Sequence, residues 1–217
     1  MVPRNVCDAV DVPQVRREEI HPLTPDQARR FLDAARGERL EALHVVAVHA
    51  GLRPGELLAV GGRGPGPGRP ARAPGPFRGR VHHAEDEAEP EEDRPQCRER
   101  SALKRHRTRQ LEERMTRAGL WQDHGLVFSS SVGTPLSHRN VVRSFKAVLR
   151  RAGLPAAIRL YDLRHTCATL LLSRNVHPKY VQELLGHASI SQTLDTYSHV
   201  LPGMGCGASN AMEDTLP

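Results

Sequence analysis

The sequence predicts a mainly α-helical domain of the α+β class, and three observations carry that prediction. Apolar residues recur at helical spacing in a series of windows, each bounded by Gly, Pro or a capping residue. A single short apolar run, Leu126-Val127-Phe128, reads as strand or extended chain. Apolar residues make up 38% of the 217, enough to build a core.

The first strong element begins at Thr24-Pro25-Asp26-Gln27, a capping box with Pro at the first helical position. Ala28, Phe31, Leu32 and Ala35 follow at helical spacing until Gly37. A second helix is expected from about Glu38 to Ala50, burying Leu40, Leu43, Val46, Ala47 and Ala50, with Gly51 as its left-handed stop. Pro54 opens a third, so Arg53 stands at a helix-to-helix corner where two backbones hold it. Residues 61–80 then contain only Gly, Pro, Arg and Ala apart from Phe77, and no period survives. The acidic block 85–93 follows, and order is expected to return near Ser101 in a basic helix with Leu103, Leu111 and Met115 on its inner face. After the loop around Gly133, Ser137 or His138 starts a helix with Val141, Val142, Phe145, Val148 and Leu149 inside. Its outer face carries Arg139, Arg143, Lys146, Arg150 and Arg151. A helix from about Asp162 to Arg174 should bury Leu163, Cys167, Leu170 and Leu171. Pro178 opens the next, ending at Leu185-Gly186, and Ser191 is expected to cap a last one reaching Tyr197. The Gly-rich tail from Pro202 reads as flexible.

Charge points to a polyanionic partner. The formal balance is +6, with 31 Lys and Arg against 25 Asp and Glu, and the basic excess is concentrated in residues 101–151. No apolar run approaches the roughly 18 residues of a membrane span, and the start, Met1-Val2-Pro3-Arg4, has no hydrophobic signal core. Cys7, Cys97, Cys167 and Cys206 lie too far apart for zinc spacing or a disulfide framework. A cytoplasmic protein is the expectation.

Three segments carry chemistry together: Ala50-Gly51-Leu52-Arg53-Pro54-Gly55-Glu56-Leu57, Tyr161-Asp162-Leu163-Arg164-His165-Thr166, and Leu184-Leu185-Gly186-His187 with Tyr197 ten residues beyond. They resemble the catalytic boxes of the tyrosine recombinase, or phage-type integrase, family, in the family order and with 23 residues between Arg164 and His187. The resemblance covers roughly residues 18–60 and 101–201 and implies the tyrosine recombinase catalytic-domain fold. It implies that Tyr197 is the nucleophile, forming a 3′-phosphotyrosyl link to double-stranded DNA, and that Arg53 and Arg164 clamp the non-bridging phosphate oxygens. His187 would donate a further hydrogen bond, while Glu56 and His165 would support the site. Lys104, Arg105, Arg139, Arg143 and Lys146 would track the DNA backbone. No metal and no cofactor is implied, and intact relatives self-associate on DNA as tetramers.

The chain departs from the family pattern in three places. Tyr161 stands where the family box begins with His, and a phenol that titrates near 10 is a poor base at pH 7. The family's hairpin lysine has no counterpart between Arg53 and Lys104, which leaves the small β-sheet missing or degraded. Read one nucleotide later, the codons of His82 to Asp93 allow Thr-Thr-Pro-Lys-Thr-Lys-Arg-Ser-Arg-Arg, so residues 61–100 are expected to be a disordered or frameshifted insert. Residues 1–20 read as the residual end of a core-binding domain and a linker, 21–201 as the catalytic domain, and 202–217 as the tail. The expected function is site-specific DNA recombination or integration. The competing expectations are a catalytically impaired or inactive DNA-binding remnant and, least favoured, a topoisomerase-like relaxing enzyme.

Overall fold

The computed structural model describes residues 20–61 and 98–198. The expectations for residues 1–19, 62–97 and 199–217 (the upstream remnant, nearly all of the aberrant stretch, and the tail) lie outside the described residues.

The centre of the described fold is α2 (Glu41–Ala50), in which every residue except His49 is buried. Its sequence is apolar on all sides, as a helix surrounded by others requires. Around it pack α1 (Pro25–Ala34), α3 (Pro54–Leu58), α4 (Arg98–Thr116) and α6 (Asp162–Leu172). α5 (His138–Arg151) lies against α1, and α7 (Pro178–Leu185) and α8 (Ile190–Tyr197) continue from α6. Leu23, Phe31, Leu43, Val45, Phe128, Val141, Phe145, Leu149 and Leu163 share the main core. A smaller cluster of Ala168, Leu172, Val181, Leu185 and Tyr197 sits under α6, α7 and α8.

Local chemistry sets the ends of these helices. At α1 the Thr24 hydroxyl accepts from the Gln27 N–H at 3.2 Å and the Gln27 side chain accepts from the Thr24 N–H at 3.0 Å, the reciprocal box its sequence specifies. α2 starts at Glu41, later than the expected Glu38, and stops at Gly51 with φ +60°. α8 is capped by Ser189, not Ser191: the Ser189 hydroxyl meets the Gln192 N–H, so the helix starts at Ile190.

Two expectations about α4 need correction. The helix begins at Arg98 among the described residues, ahead of Ser101, and Arg98 pairs with Asp33 at 2.5 Å. Of the expected inner face only Leu103 packs, half-buried, against the core, since Leu111 is 50% exposed and Met115 80%. Ala102 and His106 are buried instead, and Gln110 extends the same stripe. Ala102 lets the helix approach α2, while the polar pair holds the chain that follows. His106 Nε2 donates to the Val127 carbonyl at 2.8 Å, and the Gln110 amide donates to Leu126 and Val127 carbonyls and to the Ser129 hydroxyl at 3.0–3.2 Å. Apolar periodicity cannot reveal a face whose contacts are polar.

Within α6 the expected Leu170 and Leu171 are only half-buried, and Asp162, Arg164, His165 and Thr166 are buried. Among the described residues no sheet forms. Leu126 and Ser129 make isolated antiparallel bridges, to Gly61 and Pro135. Among the described residues the class is therefore mainly helical, and the small sheet expected to be missing or degraded is missing altogether.

Candidate active site

Arg164 is the pivot. It is 2% exposed, one of the largest wholly buried side chains of the fold. Its Nη1 donates to the Gly51 carbonyl at 2.8 Å and its Nη2 to the Leu185 carbonyl at 2.6 Å. Both carbonyls lie at helix C-termini, where backbone acceptors lack intrahelical partners and the helix dipole is negative. The guanidinium therefore joins the ends of α2 and α7 from its seat on α6. Two of its five N–H groups are spent this way. Burial, and then the charge of Arg53, push its pKa below the ordinary arginine value.

Arg53 stands at the start of α3. Its Nη1 donates to Glu56 Oε1 at 2.9 Å, and its backbone N–H donates to Glu56 Oε2 at 2.9 Å. Glu56 thus fixes both the backbone corner and the side chain, and Arg53 remains 40% exposed on its side chain. Gly51 supplies the close approach between the two boxes. A Cβ there would lie 2.8 Å from Leu185 Cδ2 and 3.2 Å from Cys167 Sγ, on a backbone already at positive φ.

His187 follows the left-handed Gly186 and is half-buried. Its Nδ1 meets the buried Thr193 hydroxyl at 2.8 Å. Burial, then Arg164, Arg53 and His165, push its pKa down to about 4. The imidazole is consequently neutral at pH 7, and in the tautomer in which Nδ1 accepts from Thr193 its proton is on Nε2.

Tyr197 is 2% exposed, and its hydroxyl lies 2.7 Å from His165 Nδ1. Burial raises its pKa above the ordinary phenol value, against the opposing pull of Arg164. Tyr161, 39% exposed, sets its ring edge against His165 with centroids 5.1 Å apart.

The structure thus brings Arg53, Glu56, Tyr161, Arg164, His165, His187 and Tyr197 into one electrostatic neighbourhood. The five basic residues expected along the DNA backbone lie on α4 and α5. Lys104 and Arg105 are exposed on α4, with Arg105 paired to Glu41 at 2.5 Å. Arg139 is exposed at the start of α5, and Arg143 donates to Asn140 at 2.7 Å. Lys146 is half-buried, its ammonium donating to the carbonyls of Ala156 and Ile158 at 2.5 Å each. Sequence reasoning missed Thr193 and the two carbonyls on Arg164. A side chain orienting His187 could be sought at the α8 position one turn before Tyr197, but a carbonyl partner leaves no mark in sequence. Among the described residues no cluster of three or more His, Cys, Asp or Glu could hold a metal ion, and no helix is long and apolar enough to cross a membrane.

Comparison with known proteins finds likenesses in sequence and in fold. The profile of the phage integrase family matches residues 98–203. A XerC-like tyrosine recombinase of Caldanaerobacter subterraneus subsp. tengcongensis is 37% identical over 115 residues, covering 52% of this chain and 29% of the relative. An integrase of Streptomyces ambofaciens is 32% identical over 222 residues, covering 95% of this chain and 57% of the relative. Among solved structures, the Tn1549 transposon integrase in complex with a circular intermediate DNA superposes with a TM-score of 0.60 at 20% identity, covering 98% of this chain and 70% of that one. The chain spans little more than half the length of the Streptomyces integrase, and less of the XerC-like protein. With its three boxes gathered at one place and these likenesses in sequence and fold, the chain belongs, through residues 98–203, to the tyrosine recombinase (phage integrase) family.

Proposed function

We propose that this chain breaks and rejoins double-stranded DNA at specific sites, in recombination or integration, through a 3′-phosphotyrosyl intermediate on Tyr197. The observation that carries the reading is the meeting of two guanidiniums, Arg53 and Arg164, with a neutral His187 and the Tyr197 hydroxyl, because such a set suits a phosphodiester. Arg53 and Arg164 would hold the non-bridging oxygens with planar, permanently charged forks. Charge grows on those oxygens in the transition state, so donors fixed beforehand favour it over the ground state. His187 Nε2 would add a neutral donor. Glu56 keeps the Arg53 corner in shape and is not assigned a proton.

Duplex DNA is the inferred partner, with the exposed bases of α4 and α5 supplying phosphate contacts, and self-association on DNA is inferred with it. A DNA-binding remnant of lowered activity is the second reading, favoured by Tyr161 at the position where the family box starts with His. A nicked-duplex suicide pool of randomised core sequence separates them. The enzyme reading expects a covalent protein–DNA adduct on denaturing gels that vanishes in Tyr197→Phe. Salt-sensitive binding without any adduct would establish the remnant instead.

A further inference from the structure

A phenol attacks phosphorus only after its proton has somewhere to go, and the acceptor must lie within hydrogen-bond reach. Around the Tyr197 hydroxyl, Arg164 is a donor only and cannot serve. The Asp162 carboxylate is occupied by the Arg159 N–H at 2.8 Å and its guanidinium at 3.1 Å. His187 Nδ1 is engaged with Thr193. Tyr161 presents its ring, not a base, to His165. His165 Nδ1 lies 2.7 Å from the hydroxyl, and with the ring proton on Nε2 it accepts from it.

Building on the strand-cleaving reading above, we propose that His165 is the general base of this site, taking the Tyr197 proton on Nδ1, with Tyr161 packed on its ring to fix the imidazole plane. The charged and titratable groups facing His165 are Tyr161, Asp162, Arg159 and Arg164 from α6 and the turn before it, His187 from the α7–α8 turn and Tyr197 from α8. Burial, the largest influence, holds the ring below its ordinary pKa against the pull of the Asp162 carboxylate, with Arg164 and Arg159 adding to the lowering, which favours the neutral imidazole a base must start from. In the step, the Tyr197 oxygen bonds to phosphorus as its proton passes to Nδ1. The bond from phosphorus to the 5′-oxygen breaks, its electron pair stays on that oxygen, and a solvent water protonates it. On resealing, a 5′-hydroxyl loses its proton to solvent and attacks phosphorus, and the departing Tyr197 oxygen recovers its proton from the imidazolium.

The test uses the full 217-residue chain with the randomised nicked-duplex pool. His165→Asn keeps an acceptor near the Nδ1 position but takes no proton. Adduct formation should slow by about 100-fold or more at pH 7 while duplex binding is retained. Adduct formation by His165→Asn at the wild-type rate overturns the proposal and leaves the strand-cleaving reading intact. No adduct from the wild-type chain overturns both. Imidazole nitrogen NMR of the wild-type chain decides the hydrogen bond independently of cleavage and of how the variant folds. The proposal expects an unprotonated, hydrogen-bonded Nδ1 whose signal shifts in Tyr197→Phe, and a proton resident on Nδ1 overturns it.

Discussion

Arg164 and Arg53 share an assigned task but have different structural duties, and that difference is measurable. Arg164 satisfies the terminal carbonyls of α2 and α7 from a buried position. Its replacement by Ala leaves two buried acceptors without partners, at roughly 1–3 kcal/mol each. Arg53 is part-exposed and paired locally with Glu56, an arrangement worth no more than about 1 kcal/mol. Both substitutions should abolish adduct formation. Urea unfolding should show Arg164→Ala destabilised by at least about 2 kcal/mol and Arg53→Ala by less than about 1 kcal/mol. Equal losses would remove the structural role assigned to Arg164. Arg164→Lys is not expected to restore either property, because a single ammonium does not reproduce a fork that spans two carbonyls and a phosphate.

At the scale of elements, the corner Gly51-Leu52-Arg53 couples α2, α3 and α6 to the site. Gly51→Ala meets a left-handed backbone that costs about 1–2 kcal/mol for a residue with a Cβ, and the added carbon collides with Leu185 and crowds Cys167. That shift moves the carbonyl which receives Arg164, so stability and adduct formation should fall together, as unfolding and suicide-duplex assays would report. Gly51 was legible in the sequence, because a helix stop before Pro54 calls for glycine. The boxes around Arg53, Arg164, His187 and Tyr197 were legible through their resemblance to the family's motifs, and Gly51, Pro54 and Gly186 mark the helix ends beside Arg53 and His187 as well. The inner face of α4 was not legible. Leu111 and Met115 set the expected stripe, yet the helix docks through the small Ala102 and the polar His106 and Gln110, whose partners are backbone carbonyls of residues 126 and 127. The bond from His165 to Tyr197 was equally hidden, since the two residues lie 32 positions apart on different helices.

At the scale of the whole molecule, His44 is a buried polar residue of the core that the site does not use. His44 is fully buried on α2 between Phe31 and Phe145, with ring centroids 5.5 and 6.3 Å away, and neither of its nitrogens has a hydrogen-bond partner in the structure. Burial, and then the charge of Arg151, push its pKa from 6.5 down to about 4. The unfolded chain therefore binds a proton that the folded chain refuses between those values. Its contribution to stability is fully present above pH 6.5 and is lost as pH falls toward about 4. The shift corresponds to roughly 3 kcal/mol at most, a large share of the total stability of a domain this size. Replacing the imidazole by Leu removes both the proton linkage and the cost of two buried, unpartnered nitrogens. His44→Leu should therefore be more stable than the wild-type chain at pH 7.5, by about 1 kcal/mol or more, and the gap should widen at pH 5. Urea midpoints at the two pH values measure this directly. His187, also held near 4, leaves some acid sensitivity in the variant, so the slope should shrink and not vanish. A gap that stays constant between the two pH values would show that His44 takes no part in the acid response, and the loss would then belong to the other buried histidines, His106 and those of the candidate site.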